Sequence, residues 1–118
     1  MRYMLLIYLD EQASGETERE ECYVESAQLA QEIHSRGQYL AAAPLHPTST
    51  ATSVRVRDGK RLVTDGPFAE TREQLGGYFL IDARDLDEAM SIAARIPAAR
   101  LGTVEIRPVI EIPGLPQD

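Results

Sequence analysis

The first apolar run, Tyr3 to Leu9, is hydrophobic at every position and asks for cover on both faces, so it predicts an interior β-strand. The segment "DEQASGETERE" then breaks the pattern, and Thr17 with Glu20 has the spacing of a capping box. A helix is predicted from about Glu18 to Ser35, with a weak stripe of Tyr23, Ala27, Ala30 and His34 flanked by Val24 and Ile33, and with Gly37 as its stop. "QYLAAAPL" reads as a second strand leading into the loop "HPTSTAT". Two strand-like runs, "VRVR" and "KRLV", surround Asp58-Gly59, a type I′ hairpin signature. In that register Val54, Val56 and Val63 share one face with Arg61, while Arg55, Arg57, Lys60 and Leu62 form a basic ribbon on the other. "GGYFLID" predicts a strand with Tyr78, Leu80 and Asp82 on one face and Phe79 and Ile81 on the other. Asp85 and Glu88 open a second helix whose face is Leu86, Ala89, Ala93 and Ile96 with Met90, and Pro97 is expected to end it. "TVEIRPVIEI" is the final strand, with Pro108 marking an edge or a bulge.

The order is strand, helix, strand, hairpin, strand, helix, strand. It predicts an α+β fold, a ferredoxin-like βαββαβ plan with an inserted β-hairpin, in which two helices cover one side of an antiparallel sheet. The uncovered side asks for a partner, so a homodimer whose two sheets enclose a barrel-like interior is expected. The domain is expected to span residues 1–112, and the Pro- and Gly-rich residues 113–118 to form a loose tail.

A chain of 118 residues has room for one modest core. Its apolar runs are of strand length, which argues against a membrane span. The opening "MRYMLLIYLDEQ" meets Asp10 and Glu11 where a secretory signal would present small residues, so no signal peptide is expected. A single cysteine, Cys22, excludes an internal disulfide framework and points to the cytoplasm; it reads as a packing residue. The net charge of −7 argues against direct nucleic-acid binding, which draws its affinity from Lys and Arg neutralising phosphates.

Phosphate-binding, zinc-protease and nucleophile-elbow motifs are all missing from the sequence, so any chemistry rests on a constellation. His46 follows the second strand in a loop, where a rigid sheet places residues that stay accessible; His34, near a helix C-terminus, suits the dipole. Asp65-Gly66-Pro67 is turn chemistry first. Glu70, Arg72, Glu73 and Gln74 then crowd a connection about ten residues long, longer than two strands require. In a helical turn Glu70 and Glu73 would share a side, as an acid/base pair or as surface partners of Arg72. Gly76-Gly77 would let a backbone or a ligand approach closely, and the Tyr78 hydroxyl would be either a donor in a pocket or the satisfied tip of a core side chain. The spacing of His46, Asp65 and Glu70 matches no zinc pattern, so neither metal nor cofactor is expected.

"VRVRDGKRLVTDGPFAETREQLGGYFLIDARDLDEA", with "MRYMLLIY" before it and "GTVEIRPV" after it, closely resembles the DGPF family of the YCII-related domain superfamily over residues 1 to 112. The resemblance implies a dimeric α+β barrel. More distant YCII-like proteins hold a His–Asp pair in a cleft, and one relative eliminates chloride from a chlorinated hydroxyquinol. Their histidine lies in the first-helix region, where "TEREECYVES" has none, so a dyad here would join Asp65 to His46 or His34. The resulting expectation is a homodimer whose cleft binds a small polar or aromatic molecule and supports a cofactor-free proton transfer or elimination. In it His46 or an acid takes the proton, Asp65 orients the base and Arg72 stabilises negative charge. Some family members are encoded beside extracytoplasmic-function sigma factors, which implies the alternative of a non-enzymatic regulatory partner.

Overall fold

The computed structural model describes residues 1–13 and 15–116. Its elements are β1 (Arg2–Leu9), α1 (Glu16–Ser35), β2 (Tyr39–Pro44), a 3₁₀ turn (Thr48–Thr50), β3 (Thr52–Arg57), β4 (Lys60–Asp65), β5 (Gln74–Asp82), α2 (Leu86–Ala93), α3 (Ala98–Leu101) and β6 (Thr103–Pro108). Four strands form one antiparallel sheet in the order β2-β5-β1-β6, and β3 with β4 forms a separate two-stranded sheet. The protein is thus α+β. β6 is an edge strand, which accommodates Pro108 without breaking an interior ladder.

Strand alternation places the core. Tyr3, Leu5, Phe79 and Ile81 project from β1 and β5 to one side, where they are buried with Leu29 and Ile33 of α1, Ala89, Ile92 and Ala93 of α2, and Ile96 and Ala98 beyond it. Removing a fully buried side chain such as Leu5 or Ile81 would cost about 2–5 kcal/mol. Met4, Leu6, Tyr8, Tyr78 and Leu80 occupy the opposite side of the same strands and are half-buried, with no helix among the described residues packed over them.

Several local expectations need correction. α1 begins two residues early, with Gly15 as its cap and no side-chain cap bond, so the Thr17–Glu20 box does not form. Its buried positions are Leu29 and Ile33, while Tyr23 and Val24 are exposed; the face that meets the core is rotated away from the expected stripe. The second capping motif does form, with Asp85 accepting from the Glu88 amide at 2.9 Å and Glu88 accepting from the Arg84 amide at 2.9 Å. α2 stops at Ala93, and Pro97, placed at the end of that helix by the sequence, instead caps the short helix α3, which the sequence pattern missed. Of the expected tail, residues 113–116 lack helix and strand, and 117–118 lie outside the described residues.

The hairpin is as the sequence predicts in register, with Val54 opposite Val63, Val56 opposite Arg61, and both Asp58 and Gly59 at positive φ (52° and 73°). Its apolar face packs on nothing among the described residues: Val54, Val56 and Val63 are 60%, 62% and 57% exposed. β3 and β4 pack chiefly on each other, as an arm outside the body of the molecule. The radius of gyration, 16.0 Å, exceeds the roughly 13.5 Å expected of a compact chain of this length, consistent with such a projection.

Candidate functional site

The connections at one end of the sheet surround a cleft of about 1040 Å³. Asp10 and Glu11, just past β1, supply one wall, Arg19, Cys22 and Tyr23 of α1 a second, and His46 to Ser49 a third. Asp65, Gly66, Pro67 and Glu70 complete it. The loop carrying His46 is tied on both sides. Glu11 accepts from the Thr48 hydroxyl at 2.6 Å and the Thr48 amide at 2.9 Å, and the Leu45 amide donates to the Gly76 carbonyl at 2.9 Å. Asp65 ends β4, and its position is fixed by the next residue: the Gly66 amide donates to the Ala51 carbonyl (2.7 Å), and the Ser53 hydroxyl to the Gly66 carbonyl (2.7 Å).

His46, Asp65 and Glu70 therefore line one concavity although 24 positions separate the first from the last. Gln74 also lines it, whereas Glu73, Arg72, Tyr78 and His34 do not. Residues 66–73 form no helical turn, so the pairing of Glu70 with Glu73 on one side does not arise. Glu73 instead accepts from the Thr103 hydroxyl at 2.8 Å, at the start of β6. Arg72 is 91% exposed and lies 3.7 Å from Asp10. The Tyr78 side chain belongs to the uncovered face of the sheet, since it alternates with buried Gly77 and Phe79 and stands opposite Leu6. His34 stands on the far part of α1, edge-on to Tyr39 at 6.0 Å, away from Asp65. Asp10, Glu11, Arg19, Tyr23 and Thr48 went unmarked in the sequence. The signal available for two of them is position, because acids immediately past the end of a central strand open onto the loops at that end.

The cleft continues into a chamber of about 730 Å³ between α1 and the sheet, bounded by Ile7, Ala27, Ala30, Ala42, Phe79 and Ile96. Leu9, Cys22, Tyr23, Pro44 and Gly76 line both spaces. The stripe expected to be the core face of α1 is the wall of this chamber. Gly77 is needed beneath it because a Cβ there would stand 2.9 Å from the Ala43 carbonyl oxygen, so the double glycine admits a neighbouring strand's backbone. Cys22 faces the junction, but burial and then the nearby Glu25 carboxylate push its thiol up, against an opposing pull from Arg100. It stays protonated at neutral pH and is a poor nucleophile.

The cleft's acids, Asp10, Glu11, Asp65 and Glu70, outnumber its cation Arg19, so its walls favour a hydrogen-bond donor or a positive charge. Among the described residues, no group of three or more His, Cys, Asp or Glu side chains is arranged to hold a metal ion. No helix in them is long and apolar enough to cross a membrane.

Comparison with known proteins adds the family. Residues 1–113 match the model of the YCII-related domain. The chain is also similar to an uncharacterised protein from Rhizobium meliloti (strain 1021), with 36% identity over an alignment of 114 residues and 92% of each chain covered. A match across almost the whole length, together with the α+β architecture above, establishes that this chain belongs to the YCII-related domain family.

Proposed function

We propose that the protein is a cofactor-free, small-molecule-binding YCII-related protein that carries out a proton transfer or elimination in the cleft bordered by His46, Asp65 and Glu70. The observation that carries this reading is the placement of an imidazole and two carboxylates on one concavity, from two separate segments of chain, the loop after β2 and the end of β4 with the connection that follows it. In the proposed step His46 takes a proton from the bound molecule, and the carboxylates of Asp65 and Glu70 favour the imidazolium that results. Arg19, the cation on the α1 wall, supplies charge for the developing anion in place of Arg72. The run Asp65 to Gly77 supports placement in the DGPF branch.

The strand order β2-β5-β1-β6 supports a ferredoxin-like plan, and the uncovered sheet face supports a homodimer. That face has the anatomy of an interface: an apolar centre of Met4, Leu6, Tyr78 and Leu80, with Arg2, Asp82, Glu105 and Arg107 around it. The hairpin arm supports the same reading, since an isolated two-stranded hairpin is marginally stable in water and this one keeps an apolar face bare. A sigma-factor partner remains the competing reading, and it would also use the arm, whose Arg55, Arg57, Lys60 and Arg61 contrast with an acidic body.

The test is a fragment screen by ligand-observed NMR, with hits carrying an acidic C–H followed for solvent deuterium uptake. Hits are expected to lose binding in Asp65→Asn and to lose exchange in His46→Ala. Hits that bind and exchange equally well in both variants would sink the reading.

A further inference from the structure

Protein interiors pack to crystal-like density, and gaps larger than a water molecule are few. The space between α1 and the sheet is a groove, bordered by exposed positions such as Tyr23 and Ala27, and it is kept open by small residues on both sides: Ala27 and Ala30 on the helix and Ala42 on β2. A helix carrying Leu at 27 and 30 would close much of this space. The wall runs along α1 from Tyr23 to His34, about 17 Å at the rise of an α-helix. Apolar side chains dominate its middle. Cavities of this polarity hold apolar groups, and 730 Å³ lies within the range of small-ligand sites.

The chamber is not isolated. It shares Leu9, Cys22, Tyr23, Pro44 and Gly76 with the cleft, so one end of an apolar space opens onto Asp10, Asp65 and Glu70. Glu11 on that wall is already engaged by Thr48. Asp10 lies 3.7 Å from Arg72, which leaves Asp65 and Glu70 as the carboxylates facing Arg19, in a chain of net charge −7 whose overall field also favours cations.

We infer that chamber and cleft together form one amphipathic site, taking a molecule with a slender or flat apolar body and a protonated amine head. This deepens the reading of the cleft given above, and rests on it for the polar half only. The apolar body lies beneath Ala27 and Ala30, and the ammonium group meets Asp65 and Glu70.

Isothermal titration of the full chain with three probes tests it: 1-naphthylmethylamine, ethylamine, which is the head without the body, and 1-naphthoic acid, which carries the body with the wrong charge. The naphthyl amine is expected to bind at least about tenfold more tightly than either of the others. Ala27→Phe adds bulk at an exposed helix position facing the chamber and is expected to weaken it about tenfold or more, while Asp65→Asn with Glu70→Gln weakens it several-fold. Ala27→Met, a strong helix former, repeats the test should the Phe variant misfold. No binding of the naphthyl amine to wild type overturns the inference. Equal binding of the naphthoic acid also overturns it, by removing the cation preference. Binding that survives both Ala27 variants but falls with Asp65→Asn overturns the amphipathic site and leaves the cleft reading standing. Loss with both Ala27 variants but none with the acid variants overturns the joint site and counts against the cleft.

Discussion

Gly102 shows how closely one residue can be specified. It links α3 to β6, and a Cβ built on it would sit 2.1 Å from the Tyr8 carbonyl oxygen, inside any real contact distance. That oxygen belongs to the central strand's backbone and cannot swing aside like the tip of a flexible side chain. Gly102→Ala is therefore expected to displace the α3–β6 corner and destabilise the fold by about 1–3 kcal/mol, read as a lowered midpoint in urea unfolding. Gly15→Ala meets no atom within 4 Å, so its cost should be limited to that of a poorer helix N-cap, about 1 kcal/mol or less. Nothing in the sequence marks Gly102 as the tighter of the two, because the approach is between segments more than ninety positions apart. Asp65 is a mixed case: its turn neighbours were legible, but its placement on the same cleft as His46 depends on how the hairpin leaves the sheet.

Among the elements, α1 is held to the chain beyond α2 by ion pairs as well as by Leu29 and Ile33. Arg100 donates to both oxygens of Glu25 at 3.0 Å, and Arg95 pairs with Glu32, which also accepts from Arg36 at 3.0 Å. The hydrogen bonds from Arg100 and Arg95 hold the Glu25 and Glu32 carboxyls below their usual value of 4.5. A carboxyl lowered in the folded state stabilises the fold above its unfolded pKa, and that contribution is lost as pH falls through the folded value. Thermal stability should thus hold between pH 7 and about pH 5 and decline below the ordinary carboxylate range, with a shallower decline in Glu25→Gln. The pairs are exposed, so the effect is small and salt should shrink it. The strands and the hairpin turn were readable from period-2 alternation and Asp58-Gly59. α1's buried face was not, because a helix with six glutamates and only a weak apolar stripe lets tertiary contacts choose its orientation. α3 escaped because four residues carry too little periodicity to register.

For the whole molecule, the hairpin and the uncovered sheet face argue together for a homodimer. Val54→Asp with Val56→Asp places charge on the arm's bare side without touching the core, so the variant should keep wild-type circular dichroism. Sedimentation velocity is expected to show a dimer for wild type and a shift toward monomer for the variant. A monomeric wild type would remove the homodimer, and a variant that still dimerises fully would take the arm out of the interface. The α+β character followed from the order of strands and helices, but the arm's separation from the body did not, since alternation reports which side of a hairpin is apolar and not what lies against it. The cleft and chamber were the least legible parts: they arise between segments, and the alanines that open the chamber look in sequence like ordinary helix formers.

The tie between Glu11 and Thr48 has a consequence for rates. One carboxylate, through two hydrogen bonds, fastens the β1–α1 connection to the loop bearing His46 and so keeps two lips of the cleft from parting. A molecule taken up by the proposed site would then pass more readily over the lip formed by Asp65 to Glu70 than over the tied lips. Loosening the tie opens a second doorway, which speeds capture and release together and leaves the equilibrium between them nearly where it was. In the proposed site the tie would thus set how long a guest stays, independently of how well it fits.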